Sequence, residues 1–208
     1  MIHLARPLVV LDIETTGFSG RDNRLLEVAF AVYEGTFSPA GRVREHDALV
    51  CPGCDVPERI TLLTGIATAD VEGAEPEADA LARLATLLEG ADVAAYNGRT
   101  FDVPFLAACM LRHGLALPNV FVHDPLVAFR RDKPGRKEHR LGDAAAFYGV
   151  APGRAHRALG DVHTTEAVMA RQFDAWLGRL HGPSAPHRPH PPTALARFWD
   201  APTATATA

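Results

Sequence analysis

Two acidic residues close the first apolar run of the chain and have the spacing of a cation site. Asp12 and Glu14 lie two positions apart in LVVLDIE, so in a β-strand both side chains point to one face, with their Cα atoms roughly 6.5–7 Å apart. Carboxylates this close repel each other, and burial would raise their pKa values unless a cation compensated them. Such hard oxygen ligands suit Mg²⁺ or Mn²⁺. The alternative is a strand that simply reaches the surface at Glu14 and turns.

Three later residues each have a chemical and an ordinary structural interpretation. Asp102 immediately precedes the Val103-Pro104 start of a predicted helix, where an aspartate often caps free backbone N–H groups. Asp161 begins the last predicted helix and could equally favour its dipole. His156 stands five residues before Asp161, and a lone histidine is more often structural than catalytic. Taken singly, none of the three establishes a site.

Taken together, the order and contexts of these five residues are far more specific. The segments LDIETTG, YNGRTFDVPFL and HRALGD resemble the three motifs of the DEDDh, or DnaQ-like, 3′→5′ exonucleases. That family includes the proofreading ε subunit of bacterial DNA polymerase III and the exonuclease domain of PolC. The resemblance runs from about residue 7 to about residue 180. The spacing from His156 to Asp161 is that of the family's histidine branch.

The resemblance implies a role for each of these residues and two divalent cations, Mg²⁺ or Mn²⁺. Asp12 would bridge both cations, and Glu14 and Asp161 would complete the site of the attacking water. Asp102 would hold the second cation, partly through water. His156 would act as general base on the attacking water, and the products would be nucleoside 5′-monophosphates. The substrate-binding residues implied beside the terminal nucleotide and the second motif are Thr15, Thr16, Gly17, Phe18, Asn97 and Phe101.

Two positions depart from the common pattern of the family. Tyr96 stands where many members have histidine before the asparagine, and Val162 replaces the common alanine after the last aspartate. Neither change affects a predicted metal ligand. Phe101 and Phe105 are also predicted to pack into the core, because aromatic side chains at helix starts usually face inward.

The surrounding pattern alternates strands with helices, after an opening antiparallel meander. It predicts an α/β protein with parallel pairing in the later strands, specifically a ribonuclease H-like mixed five-stranded sheet flanked by helices. The predicted strands are 8–13, 26–33, Ala48–Cys51, Val93–Tyr96 and Val120–His123. The predicted helices run from Pro76 to a cap at Gly90, from Pro104 to Gly114, and from Asp161 to Leu180.

A change of composition divides the chain into a predicted exonuclease domain, 1–180, and a tail, 181–208. The tail opens with the proline-rich GPSAPHRPHPP, typical of an extended linker. Leu195, Phe198 and Trp199 then return at near-helical spacing. We interpret them as a group that docks on a replicative DNA polymerase catalytic subunit or a sliding clamp. The alternative is an end whose aromatic side chains bind nothing.

Composition limits the remaining possibilities. The 208 residues and 47% hydrophobic content suffice for one core. A formal net charge of −4 argues against a protein that binds nucleic acid by general positive charge. It does not exclude a protein that binds nucleic acid through metal ions. The basic run between Arg130 and Arg140 is predicted to be a solvated loop. No segment has the apolar length of a membrane span, and three cysteines do not suggest a disulfide framework, so we expect a cytoplasmic protein.

Cys51 and Cys54 have the C-x-x-C spacing of zinc and redox sites. Cys109 is the only other cysteine, so a closed zinc site would need histidines such as His46 from elsewhere in the fold. We favour a plain loop there. The function predicted overall is removal of nucleotides from 3′ ends of single-stranded DNA, in replication proofreading or repair. An RNA-trimming enzyme of the same family, or a noncatalytic nucleic-acid-binding module, remains the alternative.

Overall fold

The structure, a computed structural model, describes residues 2–135 and 137–181. The predicted docking tail, with Leu195, Phe198 and Trp199, lies outside the described residues. The strands are β1 (Ile2–His3), β2 (Leu8–Thr15), β3 (Leu25–Tyr33), β4 (Thr36–Phe37), β5 (Arg42–Cys51), β6 (Glu75–Pro76), β7 (Asp92–Ala94) and β8 (Val122–His123). The helices are α1 (Glu58–Thr64), α2 (Thr68–Val71), α3 (Glu77–Leu88), α4 (Asp102–Arg112), α5 (Pro125–Asp132), α6 (Leu141–Tyr148) and α7 (Ala158–His181), with a short 3₁₀ turn at Pro39–Gly41.

A mixed sheet with the order β6-β5-β3-β2-β7-β8 forms the centre of the molecule. β2 pairs antiparallel with β3 and parallel with β7, so it lies between the opening meander and the parallel strands. This confirms the predicted fold class and topology. The predicted count of five strands was one short, because β6 has only two residues and adds to the end of β5. Two residues carry no periodic pattern, and a proline is tolerated on such an edge.

Other boundaries also differ from the predicted ones, and the largest difference is β5, which begins at Arg42 instead of Ala48 because its first residues are exposed and mostly charged. α4 begins at Asp102, two residues before Pro104, and α7 begins at Ala158, three residues before Asp161. The basic run is not wholly a loop, because Arg130 and Arg131 belong to the last turn of α5. Helix ends are the part of an element that sequence pattern defines least well. The shift at α7 matters most, because it moves Asp161 inside the first turn.

Side chains of β2 alternate between two layers of helices. Val9, Leu11 and Ile13 belong to the core cluster that includes residues of α3 and α4. Leu8 and Val10 pack in the second cluster, against α7. Because strand side chains alternate between faces, Asp12 and Glu14 continue the α7 side. The strand therefore directs both carboxylates toward the helix that carries Asp161.

None of the helices in the described part of the chain combines the length and apolar character needed to span a membrane.

Candidate active site

The acidic pair lies where β2 extends past its parallel neighbour. The β2–β7 pairing stops at Val10, whereas the β2–β3 pairing continues through Asp12 and Glu14. Opposite Asp12 on β3 is Ala29, and opposite Glu14 is Glu27. The small side chain at position 29 leaves room above Asp12, because directly opposite side chains of an antiparallel pair are close neighbours. This end of β2 thus forms the floor of an acidic cleft.

The start of α7 brings the third motif over that floor. The ligand atoms of Glu14, His156 and Asp161 all lie within 4.8 Å of one another. Among the residues that the structure describes, no other group of three His, Cys, Asp or Glu side chains comes so close. The His156 backbone has φ 58°, in the left-handed region, which is uncommon for a residue other than glycine. Its N–H donates a hydrogen bond to Asp161 Oδ2 at 3.1 Å.

Asp102 closes the cleft from the other helical layer. It is the first residue of α4 and is 3% exposed. The backbone of Ile13 on β2 hydrogen-bonds to its carboxylate, and burial raises the pKa of Asp102 to about 7. Its carboxylate is directed to β2, so the N-cap interpretation weighed from sequence does not describe it. Phe101 holds the N-cap position, without a side-chain cap bond.

Burial and neighbouring acidic groups raise the pKa values of the four carboxylates. Burial, then Asp102, Asp161 and Glu14, hold the pKa of Asp12 well above its usual range. Burial and the neighbouring Asp161, Glu27 and Asp102 raise the pKa of Glu14 to about 8, opposed by Arg157. Burial raises the pKa of Asp161, and the His156 amide partly offsets it. Such a cluster, crowded with oxygen donors and short of positive charge, fits hard divalent cations.

The loop after Glu14 is organised by its own hydrogen bonds. Thr15 Oγ1 donates to the Gly17 carbonyl at 2.7 Å, and Thr16 Oγ1 accepts from the Arg24 amide at 2.9 Å. A Cβ at Gly17 would lie 2.7 Å from the Asn23 side chain, so the loop has no room there. The side chains of both threonines are therefore engaged within the protein. Of this predicted group, the side chain that faces solvent is Phe18.

Two aromatic side chains border the cleft. Phe18 is 86% exposed and makes an edge contact with Phe101, with ring centroids 6.4 Å apart. Phe101 in turn contacts Phe105, whose ring is buried in the core between the sheet and α4. Phe105 is therefore the core residue that the sequence predicted, whereas Phe101 is only partly buried. The three rings connect the exposed border to the core.

Asn97 acts on the backbone of the second motif. It has φ 65°, and its side-chain oxygen accepts from Thr100 Oγ1 at 2.5 Å. The backbone N–H of Asn97 donates to Asp124 Oδ1 at 2.9 Å. The buried carboxylate of Asp124 also accepts from the backbone N–H groups of Arg99 and Leu126. Sequence reasoning missed Asp124, which fixes the turn that leads to Asp102.

A family model described as an exonuclease, RNase_T, matches residues 9–169, a range that contains all three motifs. The match covers the cleft, from β2 to the middle of α7, and includes all four carboxylates and His156. The chain belongs to this exonuclease family. Because its three motifs also resemble those of the DnaQ-like exonucleases, the chain is a DnaQ-like member of the family, and it is a nuclease of the hydrolase class.

Curated relatives of this exonuclease are polymerases of the DNA polymerase III PolC type. The protein from Streptococcus thermophilus is 35% identical over 162 residues, which are 77% of this chain and 11% of the relative. The one from Streptococcus agalactiae is 33% identical, and the one from Streptococcus pneumoniae 34%, over the same shares. The chain thus spans about a tenth of the length of these relatives.

Solved structures share the fold of the exonuclease at lower identity. Escherichia coli Exonuclease I in complex with a dA16 oligonucleotide superposes with a TM-score of 0.70 at 19% identity, over 83% of this chain and 43% of that one. The zinc-bound form of the same enzyme with single-stranded DNA gives 0.72 at 20% identity, over 84% and 42%. At this identity the likeness concerns the fold.

Sequence reasoning about the exonuclease missed a buried ion pair beside the cleft. Glu27 is fully buried, and its carboxylate accepts from Arg157. A signal was present, because Glu27 interrupts the apolar run LEVAFAVY and would face a core there. Arg157 directly follows His156 in the third motif. By contrast, Cys51 and Cys54 are free thiols and belong to no candidate metal group in the described residues.

Tyr96, the first of the two departures from the family pattern, has a structural role. The hydroxyl of Tyr96 donates to the carbonyls of His139 and Arg140, at 2.9 and 3.2 Å. The ring of Tyr96 packs with Leu126, Phe129 and Val168 in a separate core cluster. Tyr96 thus links the second motif to the segment before α6 and takes no part in the acidic cleft.

Proposed function

We propose that this exonuclease works in the 3′→5′ direction on single-stranded DNA and releases nucleoside 5′-monophosphates. The observation that carries the proposal is the convergence of Glu14, Asp161 and His156 within 4.8 Å, beside two further acidic groups, Asp12 and Asp102. Phosphodiester hydrolysis needs charge stabilisation and a proton acceptor at one place. A cluster of carboxylates with an exposed imidazole beside it supplies both requirements.

The carboxylates of Asp12, Glu14, Asp102 and Asp161 would hold two divalent cations, Mg²⁺ or Mn²⁺. When bound, these ions would neutralise the cluster, activate the attacking water and stabilise the charge on the leaving 3′-oxygen. Asp12, central on the strand, is the residue whose pKa responds to all three of the other ligands. That makes it the best candidate for a ligand shared by both ions.

His156 acts as the general base in this proposal. Its side chain is exposed, so a substrate water can reach the imidazole. Its backbone amide is bound to Asp161 Oδ2, which fixes the residue relative to a ligand carboxylate. The ring is thus free to accept a proton while the backbone is held.

The aromatic border suits the base of a terminal nucleotide. Phe18 offers an exposed face next to Phe101, and stacking on an aromatic side chain tolerates any base. Thr15, Thr16 and Gly17 set the course of the loop that presents Phe18, and Asn97 sets the turn that leads to Phe101 and Asp102. In this arrangement the two phenylalanine rings would contact the base, and the other four residues would fix the backbone that carries the rings.

Replication proofreading or repair is the role we propose, in the cytoplasm and in association with a polymerase catalytic subunit or sliding clamp. Support comes from the polymerase III relatives and from the neighbour solved with a dA16 oligonucleotide. We propose residues 1–180 as the exonuclease domain and 181–208 as the linker and docking segment. RNA is the substrate to compare with DNA, because a nuclease discriminates between them by contacts near the 2′-position.

A substrate panel tests the proposal. The full chain is given 3′-labelled and 5′-labelled single-stranded DNA, a primer with a mismatched 3′ end, and RNA of the same sequence, with Mg²⁺ and Mn²⁺ in turn. We expect early release of the 3′ label as mononucleotide, with DNA preferred over RNA. Preference for RNA would assign an RNA-trimming role instead. Release of the 5′ label first, or metal-dependent binding without hydrolysis, would overturn the proposal.

A further inference from the structure

A buried ion pair outside the carboxylate cluster ties β3 to the residue next to His156. Arg157 donates from Nε and Nη2 to Glu27 Oε1, at 2.9 and 2.5 Å, and from Nε to Oε2 at 3.3 Å. The amide of Ala158 donates to Glu27 Oε2 at 2.8 Å. Glu27 is fully buried, and the Arg157 side chain is 31% exposed. The carboxylate therefore accepts from one side chain and one backbone group, and the side chain of Asp47 also lies beside it.

Three consecutive residues before and at the start of α7 are thus each fixed at a polar group. His156 is held through Asp161, Arg157 through its guanidinium, and Ala158 through its amide. His156 is also in a left-handed backbone conformation, and such conformations persist only where the surroundings determine them. Its neighbour Arg157 supplies the strongest of these restraints, a forked guanidinium–carboxylate contact.

The strand register gives the pair its reference point. Glu27 lies directly opposite Glu14 in the β2–β3 pairing. The guanidinium of Arg157 therefore binds the sheet at the same position along the strands as Glu14, a proposed metal ligand. Glu27 faces the same side as the ligand carboxylates, yet its charge is matched by Arg157. It is therefore a carboxylate of the cleft whose cationic partner is a side chain of the protein itself.

Resting on the function proposed above, we propose that Glu27 and Arg157 are positioning residues, which hold His156 in register with the carboxylates of the cleft. They act through the backbone of residues 156–158 and do not touch the reacting atoms. Loss of the contact would let His156 move away from the cleft. A displacement of about 1 Å at a reacting group can cost roughly 10²-fold in rate.

The chain contains a matched control for this ion pair. Arg42 Nη2 lies 2.6 Å from Glu166 Oε2, and that glutamate also accepts from the Tyr33 hydroxyl. The Glu166 side chain is 7% exposed and that of Arg42 35%, similar to Glu27 and Arg157. This pair also attaches α7 to the sheet, but its contacts do not include residues 156–161. It stabilises the same helix without adjoining the cleft.

The test compares two double variants that neutralise each pair at nearly constant volume. Removing one partner alone leaves a buried charge and can unfold a protein, whereas replacing both often leaves stability unchanged. Glu27→Gln/Arg157→Met is set against Glu166→Gln/Arg42→Met, with melting temperatures recorded for both. We expect the first to lower kcat roughly 10²-fold with KM within about three-fold. The second should keep kcat within about two-fold of the unsubstituted chain.

A cycle with His156→Ala separates positioning from general destabilisation. If the pair acts through His156, adding Glu27→Gln/Arg157→Met to His156→Ala should reduce the single-turnover rate by less than about three-fold. A full multiplicative loss in that background would overturn the proposal. So would a raised KM at unchanged kcat, because it would make Arg157 a substrate contact.

Amide exchange of His156 provides a readout that needs neither metal nor activity. In metal-free protein, we expect the Glu27→Gln/Arg157→Met variant to exchange the His156 amide about ten-fold faster or more, as its restraint is lost, and the control variant to leave it unchanged. Equal exchange in both variants would overturn the proposal. Absence of hydrolysis by the unsubstituted chain would instead contradict the proposed function, and the exchange measurement would still decide the positioning role.

Discussion

Glu14 illustrates how the cleft uses repulsion between like charges. Its pKa is raised to about 8 by burial and by Asp161, Glu27 and Asp102 acting in the same direction. Only Arg157, already engaged by Glu27, opposes them. The metal-free cleft is therefore under electrostatic strain that a cation would relieve, and replacing a single carboxylate should relieve part of it as well.

The first prediction concerns the ligand carboxylates. Asp12→Ala, Asp102→Ala and Asp161→Ala should each reduce hydrolysis in Mg²⁺ by roughly 10²–10³-fold or more, because the charge stabilisation of the transition state is lost. The metal-free variants should melt at or above the temperature of the unsubstituted chain, with about 2–4 °C gained per kcal/mol of strain removed. Calorimetry with chelator present measures the second effect. Near-normal turnover in any of the three would remove that residue from the site.

His156 gives the second prediction. His156→Ala should lose about 10²–10⁴-fold in kcat, the usual contribution of a general base, while divalent-cation affinity and single-stranded DNA affinity stay within a few-fold. Binding measured by calorimetry and by fluorescence anisotropy checks the two affinities. His163→Ala is the control, since that histidine contacts Glu45 on the surface instead of the cleft. Loss of cation binding in His156→Ala would make His156 a ligand.

At the scale of elements, the alternation of side chains within a strand was easier to predict than the residues at which elements begin. The alternation in LVVLDIE correctly placed Asp12 and Glu14 on one face of β2, because strand periodicity is a local property. The sixth strand, β6, has no such signal in its two residues. The start of α7 was missed by three residues, because Ala158 is anchored by Glu27, more than a hundred residues earlier in the chain. Contacts of that range leave no local pattern.

The candidate site follows the same rule. The four carboxylates and His156 were predicted, because their motifs are contiguous in sequence. Glu27 and Asp124 were not, because each acts on a distant backbone segment, residues 157–158 and the Asn97 turn. A charged residue within an apolar strand is a signal that its partner exists, but it does not say which residue the partner is.

The third prediction concerns the close contact between Gly160 in the third motif and the backbone of Arg154, just before that motif. A Cβ at Gly160 would lie 2.3 Å from the Arg154 carbonyl, closer than real contacts allow, so Gly160→Ala must displace the loop that carries His156. We expect a lower melting temperature and at least a ten-fold lower kcat, from displacement of the base by about an ångström. Gly178→Ala, in open space on the same helix, should instead stabilise by about 0.5–1 kcal/mol. Unchanged activity in Gly160→Ala would mean that the loop and the base move independently.

At the scale of the whole molecule, the cleft makes stability depend on pH. In the folded protein the pKa of Glu14 is about 8, above its ordinary value of 4.5. Between those two values the folded state retains a proton that the unfolded chain has released, so the free energy of unfolding falls as pH rises. Raised pKa values at Asp12, Asp102 and Asp161 act in the same direction.

The fourth prediction follows from this decrease of the free energy of unfolding with rising pH. With chelator present, the melting temperature should decrease from about pH 5 to about pH 8, and saturating Mg²⁺ should reduce the decrease, because bound cations stabilise the folded state. Thermal melts across this range, with and without Mg²⁺, measure both effects. Asp12→Asn should flatten the metal-free profile, and Glu58→Gln, at an exposed position on α1, serves as a control outside the cleft. A metal-free melting temperature that rises across the range would contradict the assignment.

The fifth prediction concerns the tail, which from residue 182 onward lies outside the described part of the chain. A chain ending at Leu180 should keep kcat within about two-fold, because every residue of the cleft lies before it. Recovery of a polymerase or clamp from native extract should require Phe198 and Trp199, residue types that anchor interfaces. Equal recovery with the shortened chain would contradict docking. Loss of hydrolysis on shortening would mean that the tail belongs to the catalytic domain.

The carboxylates of the cleft come from segments that are far apart along the chain, with Asp12 and Asp161 separated by roughly 150 positions. Contacts of such separation form only after the intervening chain has closed its loops. During synthesis, Asp12 and Glu14 leave the ribosome well before the third motif has been made. We expect hydrolytic activity to appear late in folding, when α7 packs against the sheet. Nascent and half-folded copies would then be harmless to the nucleic acids around them.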